Sequence, residues 1–146
     1  MFTWKKPQQL LLVPAMLILG TLSLPAHSAV NYELDAYVFQ MLRSYNEAGM
    51  PGLVKESTKC HKQAATERLD CVRFDMAARH METVMAKRYN LRKEPYFTVE
   101  AIEKRAKVHF DSVKFDAEKL PEHLKEMQLE MDKAVGQYMR PSNMGR

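Results

Sequence analysis

The two cysteines of this chain, Cys60 and Cys71, constrain its fold more than any other feature of the sequence. If one unbroken helix joined them, their Cα atoms would lie about 16 Å apart at a rise of 1.5 Å per residue. A disulfide allows only about 4.4–6.8 Å between the two Cα atoms. A bridge therefore requires the chain to turn back near residues 63–66, where Thr66 followed by Glu67 is suited to cap a new helix.

The chain begins with the pattern of a secretory signal peptide. Lys5 and Lys6 precede a mostly apolar run over residues 10–24, and small residues then lead to Ser28, which is the usual order of a cleavable leader. A proline and a glycine interrupt the run, which is shorter than the roughly 20 apolar residues of a membrane span. We therefore expect cleavage after Ser28, which would remove residues 1–28.

Residues 29–146 would then form the exported protein, without a second long apolar run. An oxidising compartment makes a disulfide the default state of Cys60 and Cys71. Loss of Lys5 and Lys6 lowers the 22 basic residues to 20, against 18 acidic ones. So small an excess of positive charge argues against binding of nucleic acid. About 120 residues suffice for one core of ordinary size, so we expect a single domain.

Apolar residues recur at helical spacing along the mature chain, and no alternating strand pattern is apparent. Gly49 is placed to end the first helix and Pro51 to open the second. Thr98 is placed to cap the fourth helix, with Phe97 and Ile102 in the positions of a hydrophobic staple. The sequence therefore predicts an all-α, single-domain bundle of about five helices with one intramolecular disulfide, the helices beginning near residues 32, 51, 67, 98 and 121.

The cysteines also have alternative interpretations. A zinc site needs about four ligands at recognisable spacing, and Cys60, His61, Cys71 and His80 supply the atoms without the usual short pairings. Covalent haem attachment requires C-x-x-C-H and a thioredoxin-type redox pair requires C-x-x-C. Because neither motif is present, we expect a structural disulfide with no metal and no cofactor.

Methionine and histidine are the other residues that could carry chemistry. Nine methionines follow the leader, and they lie on the same stripes as other apolar residues, which favours flexible core filler over a ladder of copper ligands. His80 and His109 also lie on apolar stripes and are expected to be hydrogen-bonded core or boundary residues. His61 and His123 are expected to be exposed.

The sequence contains no nucleophile elbow, no glycine-rich phosphate loop and no H-E-x-x-H pair. We therefore expect no catalytic residues and predict a binding protein. Tyrosine and arginine are enriched at binding hot spots, and binding residues concentrate in loops. The segment 87–97 is thus the predicted partner-binding site, although an ordinary loop with solvated charges would look similar. Its predicted contact residues are Lys87, Arg88, Arg92, Lys93 and Tyr96.

A signal peptide, a short helical chain, one close cysteine pair and no catalytic motif together resemble the small periplasmic immunity proteins of bacterial type VI secretion. Those helical proteins neutralise peptidoglycan amidases. The resemblance covers the whole mature chain in architecture, and its residues are Cys60 and Cys71 with their flanking helices. It implies a periplasmic protein, often a homodimer, that binds a secreted cell-wall hydrolase and blocks the active-site cleft of that effector.

Two other functions fit the same pattern. A periplasmic chaperone or stress protein would present a methionine-rich concave face to unfolded clients, but the repeated L-T-x-x-Q signature of one such family is absent. An accessory subunit of a secretion or envelope complex is the other alternative.

Overall fold

The computed structural model describes residues 32–139, so the predicted signal peptide and the tail 140–146 lie outside the described residues. Over this range the chain is all-helical and contains no strand, as the periodicity predicts. Within it, no helix combines the length and the apolar character that crossing a bilayer requires. The four helices are α1 (Tyr32–Cys60), α2 (Leu69–Tyr89), α3 (Val99–Ser112) and α4 (Leu120–Tyr138), with short 3-10 turns at Ala65–Glu67 and Pro95–Phe97.

The described chain has four helices where about five were predicted, and the difference lies at Gly49. The two helices predicted on either side of this residue form the single element α1, which is interrupted there by a left-handed backbone (φ 63°, ψ −154°). Glycine adopts this conformation without the steric cost that a Cβ atom would add. Pro51 follows at the start of the second half, where its missing N–H group is tolerated. Gly49 therefore divides α1 into two helical segments joined by a kink, and the break that the sequence predicted between the first and second helices is confirmed.

The predicted disulfide is present and fastens the reversal between α1 and α2. Cys60 and Cys71 are bonded, with their Cα atoms 5.5 Å apart. The predicted cap was wrong, because Thr66 lies inside a 3-10 turn and α2 begins only at Leu69. Arg68 stabilises the reversal instead, since its Nε donates to the backbone oxygen of Gln63 at 2.9 Å.

Helix α2 is the centre of the bundle, and each of the other three helices packs against it. It ends at Asn90, whose left-handed backbone (φ 52°) lets its N–H bond to the oxygen of Ala86, as the sequence predicted. The prediction that methionine fills the core is also confirmed for the described residues. Met41, Met76, Met81 and Met131 are buried, and Met50, Met85, Met127 and Met139 pack against them.

Helix α3 begins at the predicted cap, where the Thr98 hydroxyl accepts a hydrogen bond from the Ala101 amide at 3.3 Å. Phe97 and Ile102 are buried on either side of this start. Both α3 and α4 pack on α2, but they make little contact with each other. A groove therefore remains between them.

Candidate functional site

A buried carboxylate, that of Asp75, lies in the middle of α2 at the centre of a polar cluster. It accepts hydrogen bonds from the hydroxyl of Ser57 and from Nε of Arg105 at 2.8 Å. Nε2 of His61 lies 2.9 Å away, and must carry the proton because a carboxylate paired with arginine has none to donate. Pairing of this kind offsets the large cost of removing a charge from water. The cluster therefore joins α1, α2 and α3.

Tyr96 belongs to this cluster. Its hydroxyl lies 3.1 Å from Oγ of Ser57, and the Arg105 guanidinium carbon lies 4.0 Å from the centre of its ring. Arg105 also donates from Nη2 to the backbone oxygen of Tyr96 at 2.9 Å. The sequence grouped Tyr96 with the other predicted contact residues. In the structure those side chains are exposed, whereas the ring and hydroxyl of Tyr96 pack within the fold.

Ser57, His61 and Asp75 are the residue types of a hydrolase triad, but their arrangement is different. In a triad the serine donates its proton to the histidine, whereas Ser57 is fully buried and donates directly to Asp75. The prediction that His61 is exposed was wrong, since its side chain is only 9% exposed. The disulfide-fastened reversal directs this ring back onto α2. The cluster in this form holds helices together.

The other histidines occupy defined positions. Nδ1 of His80 lies 2.9 Å from the Asp132 carboxylate, and Nδ1 of His109 lies 2.9 Å from the backbone oxygen of Ala65, which confirms the predicted hydrogen bonds. His123 is half-buried against Phe110 and Phe115, so its predicted exposure was wrong. Among the described residues, no group of three or more acidic, histidine or cysteine side chains is placed to hold a metal.

An open groove with an apolar floor lies between α3 and α4. Its central part has a volume of about 360 Å³, and the buried residues Met76, Ile102 and Leu124 line it. Val99 and Leu129 also line it and remain 40% and 51% exposed. Pro121 and four polar or charged side chains complete its lining, the latter being Arg79, Glu103, Lys125 and Gln128.

The groove continues at both ends. Toward the α3–α4 connection it adjoins a cavity of about 440 Å³, and toward the end of α2 one of about 220 Å³ that is lined in part by Lys93. Residues shared between neighbouring cavities, such as Glu103 and Val99, show that the three parts are contiguous. On α3 the lining residues extend from Val99 to Lys107, a distance of about 12 Å at 1.5 Å per residue, which sets the approximate length of the groove along this helix.

Three other predicted contact residues, Lys87, Arg88 and Arg92, lie exposed beside the Lys93 end of the groove. Glu82 anchors this loop, because its carboxylate accepts a hydrogen bond from the backbone amide of Glu94. Burial raises the pKa of Glu82 above its usual value. The hydrogen bond to Glu82 thus holds the loop against α2, although it requires a carboxyl group to be buried.

Sequence reasoning missed the Asp75 cluster and the groove. Asp75 did carry a signal, since it lies between the apolar residues Phe74 and Met76 and one turn after Cys71, and all of these residues are buried. The groove had no comparable signal, because helical periodicity indicates which residues face inward and does not indicate how far apart two helices lie.

No protein family, curated protein or solved structure matches this chain.

Proposed function

We propose that this chain is a periplasmic immunity protein that binds a secreted peptidoglycan-degrading effector and inhibits it. The observation that carries the proposal is the groove along α3, where Val99 and Leu129 leave apolar surface exposed above a buried apolar floor. Exposed apolar surface bordered by charged residues is typical of a binding site. The disulfide adds support for export, since such bonds persist in oxidising compartments.

The dimensions of the groove favour a segment of another protein as its occupant. A length of about 12 Å along α3 accommodates about two turns of helix or about four extended residues. The apolar floor is bordered by Arg79, Glu103 and Lys125. Charged residues at the edge of an interface contribute mainly to specificity, so these three would determine which segment binds and in which direction. Stable interfaces bury about 800 Å² per partner, so the contact would extend beyond the groove onto the surface around it.

The chaperone alternative requires a methionine-rich surface open to clients. All eight methionines in the described residues are buried or pack partly buried against the core. This use of methionine favours one specific partner over many unfolded clients. An accessory subunit of an envelope complex would also have one partner. Whether the protein inhibits the activity of that partner distinguishes this alternative from the immunity proposal.

The partner can be captured directly. The processed protein, immobilised through a tag, is incubated with proteins secreted by the producing strain, and bound proteins are identified by mass spectrometry. The proposal expects one peptidoglycan hydrolase, whose digestion of purified cell walls stops when the protein is added in equimolar amount. Recovery of many unfolded clients would support a chaperone, and recovery of an uninhibited envelope protein would support an accessory subunit; either result refutes the proposal.

Matched substitutions test whether the groove is the binding surface. The pair Val99→Glu and Leu129→Glu places charges on the walls of the groove, and we expect Kd for the hydrolase to rise at least about 30-fold, as at an interface hot spot. The control pair Val108→Glu and Val113→Glu alters α3-side residues of similar exposure, 43% and 46%, that do not line the three cavities described. Equal loss of affinity in both pairs would refute the assignment of the groove.

A further inference from the structure

The loop that follows α2 carries a concentration of positive charge together with exposed apolar side chains. We infer that this basic loop, residues 87–93, is a docking site for the surface of an anionic phospholipid bilayer. The inference does not depend on the proposed effector, because the groove and the loop are adjacent surfaces that separate variants can alter.

The charge of the basic loop is local. Its seven residues include four cations and no acid, whereas beyond the predicted leader the chain has nearly equal numbers of basic and acidic residues. Within the part of the chain that the structure describes, none of these cations forms a salt bridge. The four cations are Lys87, Arg88, Arg92 and Lys93. The first three are therefore available to phosphate groups, whereas Lys93 also interacts electrostatically with Glu82.

Two apolar side chains lie between these cations in the sequence. Tyr89 is 55% exposed and Leu91 is 53% exposed, which places them among the most exposed large apolar residues described. The guanidinium of Arg88 lies 5.8 Å from the centre of the Tyr89 ring. Alternation of basic and apolar groups suits the membrane interface, where cations meet headgroups and tyrosine and leucine enter the acyl boundary.

The basic loop is held in place at both ends, so docking does not require it to fold first. At one end the Leu91 amide bonds to the backbone oxygen of Ala86 at 3.1 Å. At the other end the Glu94 amide donates to Glu82. Glu82 is 5% exposed and is occupied by this bond, so it leaves the outer face of the loop basic. A preorganised loop loses little conformational entropy on binding.

A bilayer suits this surface better than a protein does. Four like charges with no acid among them bind best to a surface of uniform opposite charge, and each cation near an anionic leaflet adds to the attraction. Protein interfaces tend instead to deplete lysine from their centres. The groove, with its apolar floor and mixed charges, is the better surface for a protein partner.

Vesicle flotation tests the inference. The processed protein is mixed with vesicles of equal parts phosphatidylglycerol and phosphatidylcholine, or of phosphatidylcholine alone, at low and high salt. We expect flotation with the anionic vesicles, release as salt rises, and no flotation with the neutral vesicles. Equal binding to both vesicle types, or binding to neither, would overturn the inference.

Matched variants locate the contact. The triple variant Lys87→Gln, Arg88→Gln and Arg92→Gln should partition about 100-fold more weakly, from the usual contribution of three interfacial cations. A control with the same change in net charge alters three exposed lysines at the end of α1 and in the following turn, and should bind like the parent. An equal loss of vesicle binding in the control variant would overturn the assignment of the membrane contact to the loop. The control substitutions are Lys55→Gln, Lys59→Gln and Lys62→Gln.

Two further measurements separate the apolar contribution and the proposed effector. Leu91→Ser should weaken vesicle binding while leaving its salt dependence unchanged, since it removes only apolar contact. Lys87, Arg88 and Arg92 are also predicted partner contacts, so inhibition of the hydrolase by the loop variant is measured in parallel. Loss of inhibition together with a parent that does not float would make the basic loop a protein-binding surface and overturn the lipid inference.

Discussion

Arg105 Nε donates to the Asp75 carboxylate at 2.8 Å, so a cation that is 19% exposed on α3 meets an acid that is fully buried in α2. A pair of this kind contributes little net free energy, because the Coulomb attraction first offsets the cost of removing both charges from water. Its larger effect is on alignment. Since Arg105 also donates to the backbone oxygen of Tyr96, this side chain connects α2, α3 and the turn that precedes α3.

Removal of the buried charge should strongly destabilise the protein. Asp75→Asn retains the size of the side chain but leaves Arg105 without its counter-charge, and we expect the free energy of unfolding to fall by about 3–5 kcal/mol. The matched control Asp111→Asn breaks a pair with Lys107 whose side chains are 55% and 60% exposed, and should cost at most about 1 kcal/mol. Urea unfolding measures both. Similar losses in the two variants would contradict the role assigned to burial.

The disulfide should contribute comparable stability. In the chain-entropy model, closing so short a loop stabilises the folded state by about 3 kcal/mol, so the double variant Cys60→Ser and Cys71→Ser should unfold at correspondingly lower urea. Mass measurement of the native protein should show two hydrogens fewer than in the reduced protein. Free thiols, or a cysteine-linked dimer, would contradict the intramolecular bridge.

The sequence predicted the helices and their fastening well because those features are local. Helical periodicity identified α2 and its buried face, Thr98 was recognised as a cap, and the spacing of the cysteines required the reversal that the structure contains. The sequence-based predictions that were wrong depend on interactions between residues far apart in the chain. His61 was predicted to be exposed, whereas Asp75, 14 residues away, holds it inside.

The candidate site was harder to predict for the same reason. Of the predicted contact residues, Lys93 lines the groove, but Tyr96 is part of the Asp75 cluster, where Arg105 covers its ring. An aromatic residue beside basic ones has the same sequence signature whether it faces solvent or packs against a third helix. The groove itself depends on the spacing between α3 and α4, which no local pattern encodes.

Glu82 should make stability depend on pH. Burial raises the pKa of its carboxyl in the folded protein, so the folded state binds more protons than the unfolded state between the two pKa values. Its contribution to stability therefore falls as pH rises from the ordinary glutamate pKa through the raised one. Glu82→Gln keeps an acceptor for the Glu94 amide without a charge. Relative to the parent, this variant should gain stability as pH rises through that window; a difference that stays constant with pH would contradict the assignment.

Replacement of three glycines by alanine should change the free energy of unfolding in opposite directions. Two of these glycines, Gly49 and Gly52, test the geometry of α1. Gly49→Ala places a Cβ on a left-handed residue and should cost about 1–2 kcal/mol. At Gly52 an added Cβ would lie 2.6 Å from the backbone oxygen of Ser44 and 2.8 Å from Cβ of Ala48, so Gly52→Ala should also destabilise, by about 1–3 kcal/mol.

Gly136 is the matched control for these two positions, because it is helical and an added Cβ would meet no atom within 4 Å. Gly136→Ala should therefore stabilise the protein by about 0.5–1 kcal/mol through helix propensity. Thermal and urea unfolding of the three variants measure all of these changes. If Gly49→Ala and Gly52→Ala were as stable as Gly136→Ala, α1 would have no break at Gly49, and its two halves would not approach closely at Gly52.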